Sequence, residues 1–495
     1  MDVNDIGYLA EQNPWWIHPS GIQKDINIRK LKKLEYVWDP NLKYYLNLDQ
    51  DVIYTVRGPR QVGKTTMLKI IIRDLLTVKK VIPEDIFYWS FERNTADELH
   101  MIIDTYLKWR EPLSKGRKYI FLDEVCSIRD WVREIIYFAN RGRFENCSVL
   151  ITGSHSMDMK YSSDLMPGRR SGSGEETLNK ILLPMKFSEY VFLLRPDIKM
   201  KFQQWGLLKN EKRDETIFGL FTGKIPDAIN DISIIRNDLD SLFDHYLLTG
   251  GIPQVINEYW KSGRISTRTF DIYLSAMLGD LNRYRYKELY FKQIVKEAIR
   301  TMTTPISWNE FTVNTEISSH DTARKYIEAM EELYIANIAY RYRRDKRTVN
   351  TTANKKLYFQ DPFLMNALDG WSRAAADYFS NAKSNVLDVV FKSRMVESIA
   401  HSHLCKLAYR LNPQDHFDPK MVVTYYRDKK NREIDFLLLE KNEEFPFEVK
   451  YQGSVSKADF RNFYSFGRGV LLTKGDSRVQ RNYVSIPVSV FLMLI

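Results

Sequence analysis

The rhythm of apolar and polar positions changes several times along the chain. Between residues 51 and 155, the apolar runs Val52–Val56, Ile86–Ser90, Tyr119–Leu122 and Ser148–Thr152 alternate with segments of helical character. Continuous apolar runs separated by helices predict a parallel sheet covered by helices. Before them comes a polar, aromatic-rich lead-in with Trp15 and Trp16 and a helical pattern over Ile26–Tyr36. Residues 161–176, with Pro167, Gly168, Gly172 and Gly174, have the composition of a loop. Residues 180–277 are largely helical by pattern and are broken at Gly250-Gly251-Ile252-Pro253. Residues 285–365 predict helices followed by a basic hairpin, and from about 385 onward a helix gives way to short strands and mixed structure. There is no internal repeat and no low-complexity tract.

A chain of 495 residues exceeds what one hydrophobic core organises, so two to four domains are expected. The formal net charge of +10 favours an acidic partner, nucleic acid foremost, although a basic surface also serves solubility. Cys126, Cys147 and Cys405 lack the paired spacing of a disulfide framework or a zinc site. Met1–Asn13 is polar and acidic, unlike a signal peptide, and the apolar Val488–Ile495 run is too short to span a bilayer. A cytoplasmic protein without membrane association is expected.

Gly58-Pro59-Arg60-Gln61-Val62-Gly63-Lys64-Thr65 fits G-x-x-x-x-G-K-[ST], between a strand pattern and a helix that opens at Thr66. Glycines let such a backbone curl so that its N–H groups point at phosphate oxygens, and the helix N-terminus adds positive dipole. Lys64 would reach the β- and γ-phosphates and Thr65 would ligate Mg²⁺. The strand Lys118–Leu122 ends in Asp123-Glu124, where Asp123 would hold the metal and Glu124 would deprotonate the attacking water. An apolar run ending in two carboxylates is also an ordinary capping pair. Ser154, just past the strand Ser148–Thr152, is the candidate γ-phosphate sensor ahead of His155 and Ser156, the alternative being a plain strand end. Arg169 or Arg170 in the loop beyond would serve as a finger on a neighbour's nucleotide or would simply be solvated. The guanine-reading Asn-Lys-x-Asp element is missing from this part of the chain, so ATP is expected over GTP.

Arg57–Thr66, Leu122-Asp123-Glu124, Ile151-Thr152-Gly153-Ser154, Pro184-Met185-Lys186-Phe187-Ser188-Glu189-Tyr190 and Gly250-Gly251-Ile252-Pro253 follow in order. With the C-terminal elements below, they resemble a prokaryotic AAA-type P-loop ATPase family whose C-terminal domain has a poorly known function. The resemblance implies an α/β fold: a P-loop AAA-type parallel sheet with a helical lid, a winged-helix segment and a restriction-endonuclease-like tail. The corresponding boundaries are 1–190 for the ATPase core, 191–277 for the lid with an insertion, 278–370 for the winged helix and 380–495 for the tail. Residues 195–235 exceed the family's usual connection and take no assigned role.

Trp308–Glu310, Thr315–Ile317 and Asp321–Leu333 fit a helix-turn-helix, with Ser318 or Ser319 as cap and an apolar stripe through Ala323, Tyr326, Ile327, Met330 and Leu333. Arg341–Lys356 then carries seven basic residues and one acidic, which would suit a wing touching phosphates or a solvated hairpin. In the tail, Glu397 lies on a predicted helix, Asp435 on a strand, and Glu448-x-Lys450 on the next. This set resembles the PD-(D/E)xK nuclease core. There Glu397, Asp435 and Glu448 would hold Mg²⁺ or Mn²⁺, with Asp435, Glu448 and Lys450 catalytic.

The leading expectation is an oligomeric, DNA-associated ATPase, a hexameric ring being one form, that couples hydrolysis to remodelling or processing of duplex or branched DNA. The alternatives are an ATP-dependent signalling or scaffold switch with an inactive tail, and a structure-specific metal-dependent nuclease positioned by the ATPase.

Overall fold

The computed structural model of the chain describes residues 6–153, 159, 166 and 177–495. Ser154, Arg169 and Arg170 lie outside the described residues. The chain divides into two compact units. One is Met1–Leu183 with Pro413–Asp415, and the other is Pro184–Asn412 with His416–Ile495.

The first unit is built on five parallel strands: β1 (Val52–Arg57), β2 (Ile86–Ser90), β3 (Lys118–Asp123), β4 (Cys147–Thr152) and β5 (Asn179–Ile181). Their order across the sheet is β2-β3-β4-β1-β5. Every residue of β3 and β4 is buried, as expected of strands covered on both faces. Helices Lys64–Thr77, Ala96–Arg110 and Trp131–Asn140 provide the connections. The second begins with a reciprocal capping box between Thr95 and Glu98. The four strands expected from the pattern form within a residue or two. β5, only three residues long and mixed in polarity, carries too little pattern to be seen in advance.

The aromatic lead-in has a definite task. β2 is an edge strand, and an open edge leaves backbone donors and acceptors unpaired. The indole N–H groups of Trp15 and Trp16 both donate to Ile86 O, at 2.9 and 2.8 Å. The Asn13 amide accepts from Tyr88 N at 2.7 Å and donates to Tyr88 O at 3.0 Å, and Gln12 Oε1 accepts from Ser90 N at 2.9 Å. Side chains thus take the place of a sixth strand. The predicted helix here is shorter than its pattern, ending at Leu31.

The second unit contains an eight-stranded mixed sheet. Its strands are β7 (Arg341–Arg343), β8 (Thr348–Asn350), β10 (Val423–Arg427), β11 (Glu433–Glu440), β12 (Glu443–Lys450), β13 (Gly469–Thr473), β14 (Arg478–Gln480) and β15 (Tyr483–Pro487). The order is β14-β15-β13-β12-β11-β10-β7-β8. A separate antiparallel pair joins β6 (Ala336–Ala339) to β9 (Lys356–Phe359). The basic hairpin β7–β8 therefore continues the tail's sheet, through a parallel bridge between Arg341 and Tyr425. Segments expected as a winged helix and a tail share one sheet.

The His320–Glu332 helix buries Ala323, Tyr326, Ile327 and Met330, as its stripe predicts; Ser319 is its N-cap residue but makes no capping bond through its side chain. Residues 195–235 form helices Pro196–Gln204, Asn210–Gly219 and Asp227–Ser233. Phe218 and Phe221 of this stretch pack on Phe445 and Phe447 of β12, with ring centroids 4.8 to 5.1 Å apart. The insertion thus covers part of the tail sheet. Val488–Ile495 is buried throughout, and the three cysteines are free and buried. Among the described residues no helix is long and apolar enough to cross a membrane.

Candidate functional site

β1 delivers the chain into the loop Gly58–Gly63, and two glycines are required there. Gly58 has φ +153°, and a Cβ on it would lie 2.1 Å from the carbonyl oxygen of Leu182. Gly63 has φ +107° and is the N-cap of the following helix, whose first bond runs from Met67 N to Gly63 O at 2.9 Å. The N–H groups of Lys64, Thr65 and Thr66 therefore stand outside the helical ladder, where an anion at this turn would meet them. Lys64 is buried to 5% exposure, with its ammonium over the loop, donating to Gly58 O at 2.9 Å and Pro59 O at 3.0 Å. The expected phosphate cradle (Gly58, Pro59, Arg60, Gln61, Val62, Gly63, Lys64, Thr65, Thr66) is one contiguous strand–loop–helix.

Sheet order brings the carboxylates to this loop. β4 lies between β1 and β3, pairing in parallel with both, so Asp123 ends its strand one place removed from the P-loop. Thr65 Oγ1 donates to Asp123 Oδ2 at 2.8 Å. Asp123 is 1% exposed and takes two more hydroxyl donors, Tyr88 OH on Oδ2 at 2.9 Å and Thr152 Oγ1 on Oδ1. Glu124, next along, adopts a left-handed backbone at φ +54° and is half-buried. Its N–H reaches Thr152 Oγ1 at 3.4 Å.

Tyr88, Thr152 and Lys69 belong to this site and were not anticipated. Lys69 follows Thr65 by one helical turn, on the same face. Its ammonium lies 3.0 Å from the Tyr88 ring centroid and 3.3 Å from Asp25. Burial pulls it down to about 8, against the opposing pull of Asp25 and Asp123. Burial and the Asp123 charge push the Tyr88 phenol well above its ordinary value, so it remains a donor. The available signals were a tyrosine inside an otherwise apolar strand, which needs a buried partner, and the helical spacing of Lys69 from Thr65.

Residues 50–191 match the model of a family described as an AAA domain. The P-loop and all five strands of the first unit's sheet lie within that match. Residues 240–375 and 392–491 match two further family models, each described only as a domain of unknown function. Solved structures similar to the chain include two from archaea. One is the Walker-type ATPase PABY2304 of Pyrococcus abyssi, at 15% identity over 70% of this chain and 95% of that one, with a TM-score of 0.35. The other is the Aeropyrum pernix ORC1 protein in complex with DNA, at 14% identity over 72% and 96%, with a TM-score of 0.28. At those scores neither carries an argument about this chain. No curated protein matches it.

The tail residues Glu397, Asp435, Glu448 and Lys450 do come together. β11 and β12 are antiparallel with Phe436 opposite Phe447, which sets Asp435 beside Glu448. Glu397 reaches them from the Val389–Leu411 helix. The sequence reading had placed Lys356 in the basic wing, whereas the structure places it among these carboxylates. Its Nζ lies 2.7 Å from Glu433, 3.1 Å from Asp435 and 3.4 Å from Glu397. Tyr358 OH donates to Glu397 at 3.1 Å, Val449 N to Asp435 Oδ2 at 3.0 Å and Asn462 to Glu448 Oε1 at 2.7 Å. Burial opposes the charge on Lys356, but Tyr358, Asp435, Glu397 and Glu433 outweigh it and hold the ammonium well above its ordinary value. Burial and Asp435 push Glu397 and Glu448 up to about 8. Among the described residues no three His, Cys, Asp or Glu side chains form a group suited to a metal ion. An ammonium stands between Glu397 and Asp435, two members of the expected metal set of Glu397, Asp435 and Glu448.

The wing expectation narrows in the same way. Lys355 is buried with its ammonium 4.6 Å from the Trp308 ring, Arg344 pairs with Glu444 at 2.7 Å, and Arg341 donates to Arg427 O at 2.6 Å. Of the seven basic residues, only Lys346 and Arg347 are fully exposed, at the hairpin tip.

Proposed function

We propose that the first unit binds ATP with Mg²⁺ and hydrolyses it. The carrying observation is the Thr65 hydroxyl on Asp123 at 2.8 Å, at the mouth of the P-loop helix and with Glu124 next in the chain. A hydroxyl and one carboxylate suit Mg²⁺, which takes few protein ligands and completes its shell with phosphate oxygens and water. Thr65 and Asp123 would hold the metal, which would supply positive charge against the triphosphate. The chain's own residues do the rest. Gly58–Thr66 orients the triphosphate, Lys64 neutralises its terminal oxygens, and Tyr88 with Thr152 fixes the Asp123 carboxylate. Glu124 takes the proton from the attacking water. Retained ATP binding without turnover in Glu124→Gln, and loss of binding in Lys64→Ala, are the expected results. Turnover by Glu124→Gln at the native rate would overturn the assignment.

Oligomerisation belongs to the same proposal, with Arg169 or Arg170 of one copy completing the nucleotide site of its neighbour. ATPase specific activity that rises with protein concentration supports it, and a concentration-independent rate would count against it. For the biological role, the burial of Lys355 and Lys356 and the pairing of Arg341 and Arg344 favour a nucleotide-dependent switch or scaffold. DNA engagement through this hairpin then rests on Lys346 and Arg347. Salt separates the two readings, because a protein that neutralises several phosphates loses DNA affinity steeply as salt rises.

A further inference from the structure

We propose that Lys356 is the resident cation of the carboxylate cluster in the second unit and keeps divalent metal out of it. β9 alternates its side chains, so Lys356 and Tyr358 project to one face, and both reach Glu397 Oε1. Glu433 and Asp435, two apart on β11, likewise share a face, and each gives Lys356 a carboxylate oxygen within 3.1 Å. Lys356 is 1% exposed and Glu448 is 3% exposed. Glu448 Oε2 is buried without a hydrogen-bond partner, so the cluster holds carboxylate capacity that the lysine leaves unused. Lys450, the lysine of the Glu-x-Lys pair, is different: it is half-exposed and 3.7 Å from Glu448.

The geometry is that of an ammonium. Oxygens at 2.7 to 3.4 Å suit N–H donors, whereas Mg²⁺ needs oxygens at about 2.0–2.1 Å. A dication drawn to Asp435 and Glu448 would meet the positive charge of Lys356 at close range in a poorly solvated site. A neutral residue at 356 frees Glu397, Asp435 and Glu448 to take Mn²⁺ or Mg²⁺.

The test is Mn²⁺ titration of the full-length, nucleotide-free protein, followed by calorimetry and by the Mn²⁺ paramagnetic resonance signal. Wild type and Asp435→Asn should bind Mn²⁺ alike, because the cluster contributes nothing while Lys356 is present. Lys356→Met should gain a site at least about tenfold tighter than any wild-type site responsive to position 435, and Lys356→Met/Asp435→Asn should lose it. Weaker Mn²⁺ binding in Asp435→Asn than in wild type would overturn the proposal. So would a Lys356→Met protein with native circular dichroism and no new site. If Lys356→Met does not fold, the comparison of wild type with Asp435→Asn still decides, equal binding supporting the proposal and unequal binding overturning it.

Discussion

Asp123 and Asp435 occupy similar positions and receive opposite treatment. Each is a largely buried aspartate on a strand, with a second acidic residue close by and a lysine within reach. Asp123 is held by three neutral hydroxyls, from Thr65, Tyr88 and Thr152, which fix its position and leave its charge intact. Asp435 is held by the ammonium of Lys356 and one backbone N–H, which fix its position and set a cation against its charge. A carboxylate oriented by dipoles stays available to a metal, while one paired with a buried cation is already satisfied. Recognising an acidic residue at the right spacing is therefore not enough; the nature of its donors decides what it does.

The contrast can be broken most decisively at Glu124. Glu124→Gln should lower the ATP turnover number by roughly 10²–10⁴-fold in a steady-state assay while nucleotide binding persists. Asp435→Asn should leave turnover within experimental scatter. Next in size is Lys356→Met, which strands buried carboxylates without their counter-charge. Urea unfolding should show a loss of about 3–5 kcal/mol, partly restored in Lys356→Met/Glu397→Gln. Equal stability of Lys356→Met and wild type would show that the cluster is not neutralised as described.

Tyr88→Phe probes the neutral side of the comparison. Losing a hydrogen bond to a charged acceptor costs about 1.5–3 kcal/mol, and the effect should appear as a raised Mg²⁺ requirement for turnover. Unchanged Mg²⁺ dependence would remove Tyr88 from the site. Lys69 gives a pH test. Its folded value of about 8 lies below its ordinary 10.5, so between those values the unfolded chain holds a proton that the folded chain has released. Stability should therefore rise with pH across that window, by at most ~1.4 kcal/mol per pH unit, and Lys69→Met should flatten the rise. The smallest effect is expected from Lys346→Ala/Arg347→Ala. This change should alter stability by under about 0.5 kcal/mol and should weaken DNA binding only if the hairpin tip touches phosphate.

Most of the ATPase core was legible in advance because its signals are contiguous. Gly58 and Gly63 bracket a loop whose shape is set by its own backbone, and the strands around it are long apolar runs. β5 was not legible, because three residues of mixed polarity carry no period. Lys356 was misplaced for a physical reason. In sequence it is one of seven basic residues in a short stretch, and nothing local distinguishes it from Lys346. The two part company only when β9 packs beside the Val389–Leu411 helix and β11. Tyr88 and Thr152 were overlooked for a related reason, since each ends or interrupts an apolar strand and gains meaning only from the strand beside it.

What the sequence by itself determined is the glycine-bracketed loop opening into a helix, the Asp123-Glu124 pair at a strand end, and the helix-and-strand rhythm of both units. These depend on neighbours along the chain, through backbone conformation and side-chain period. What only the tertiary structure decided is which donors surround each buried carboxylate. Those donors arrive on strands and helices far apart in sequence, and the charge left on the carboxylate is the sum of what they bring.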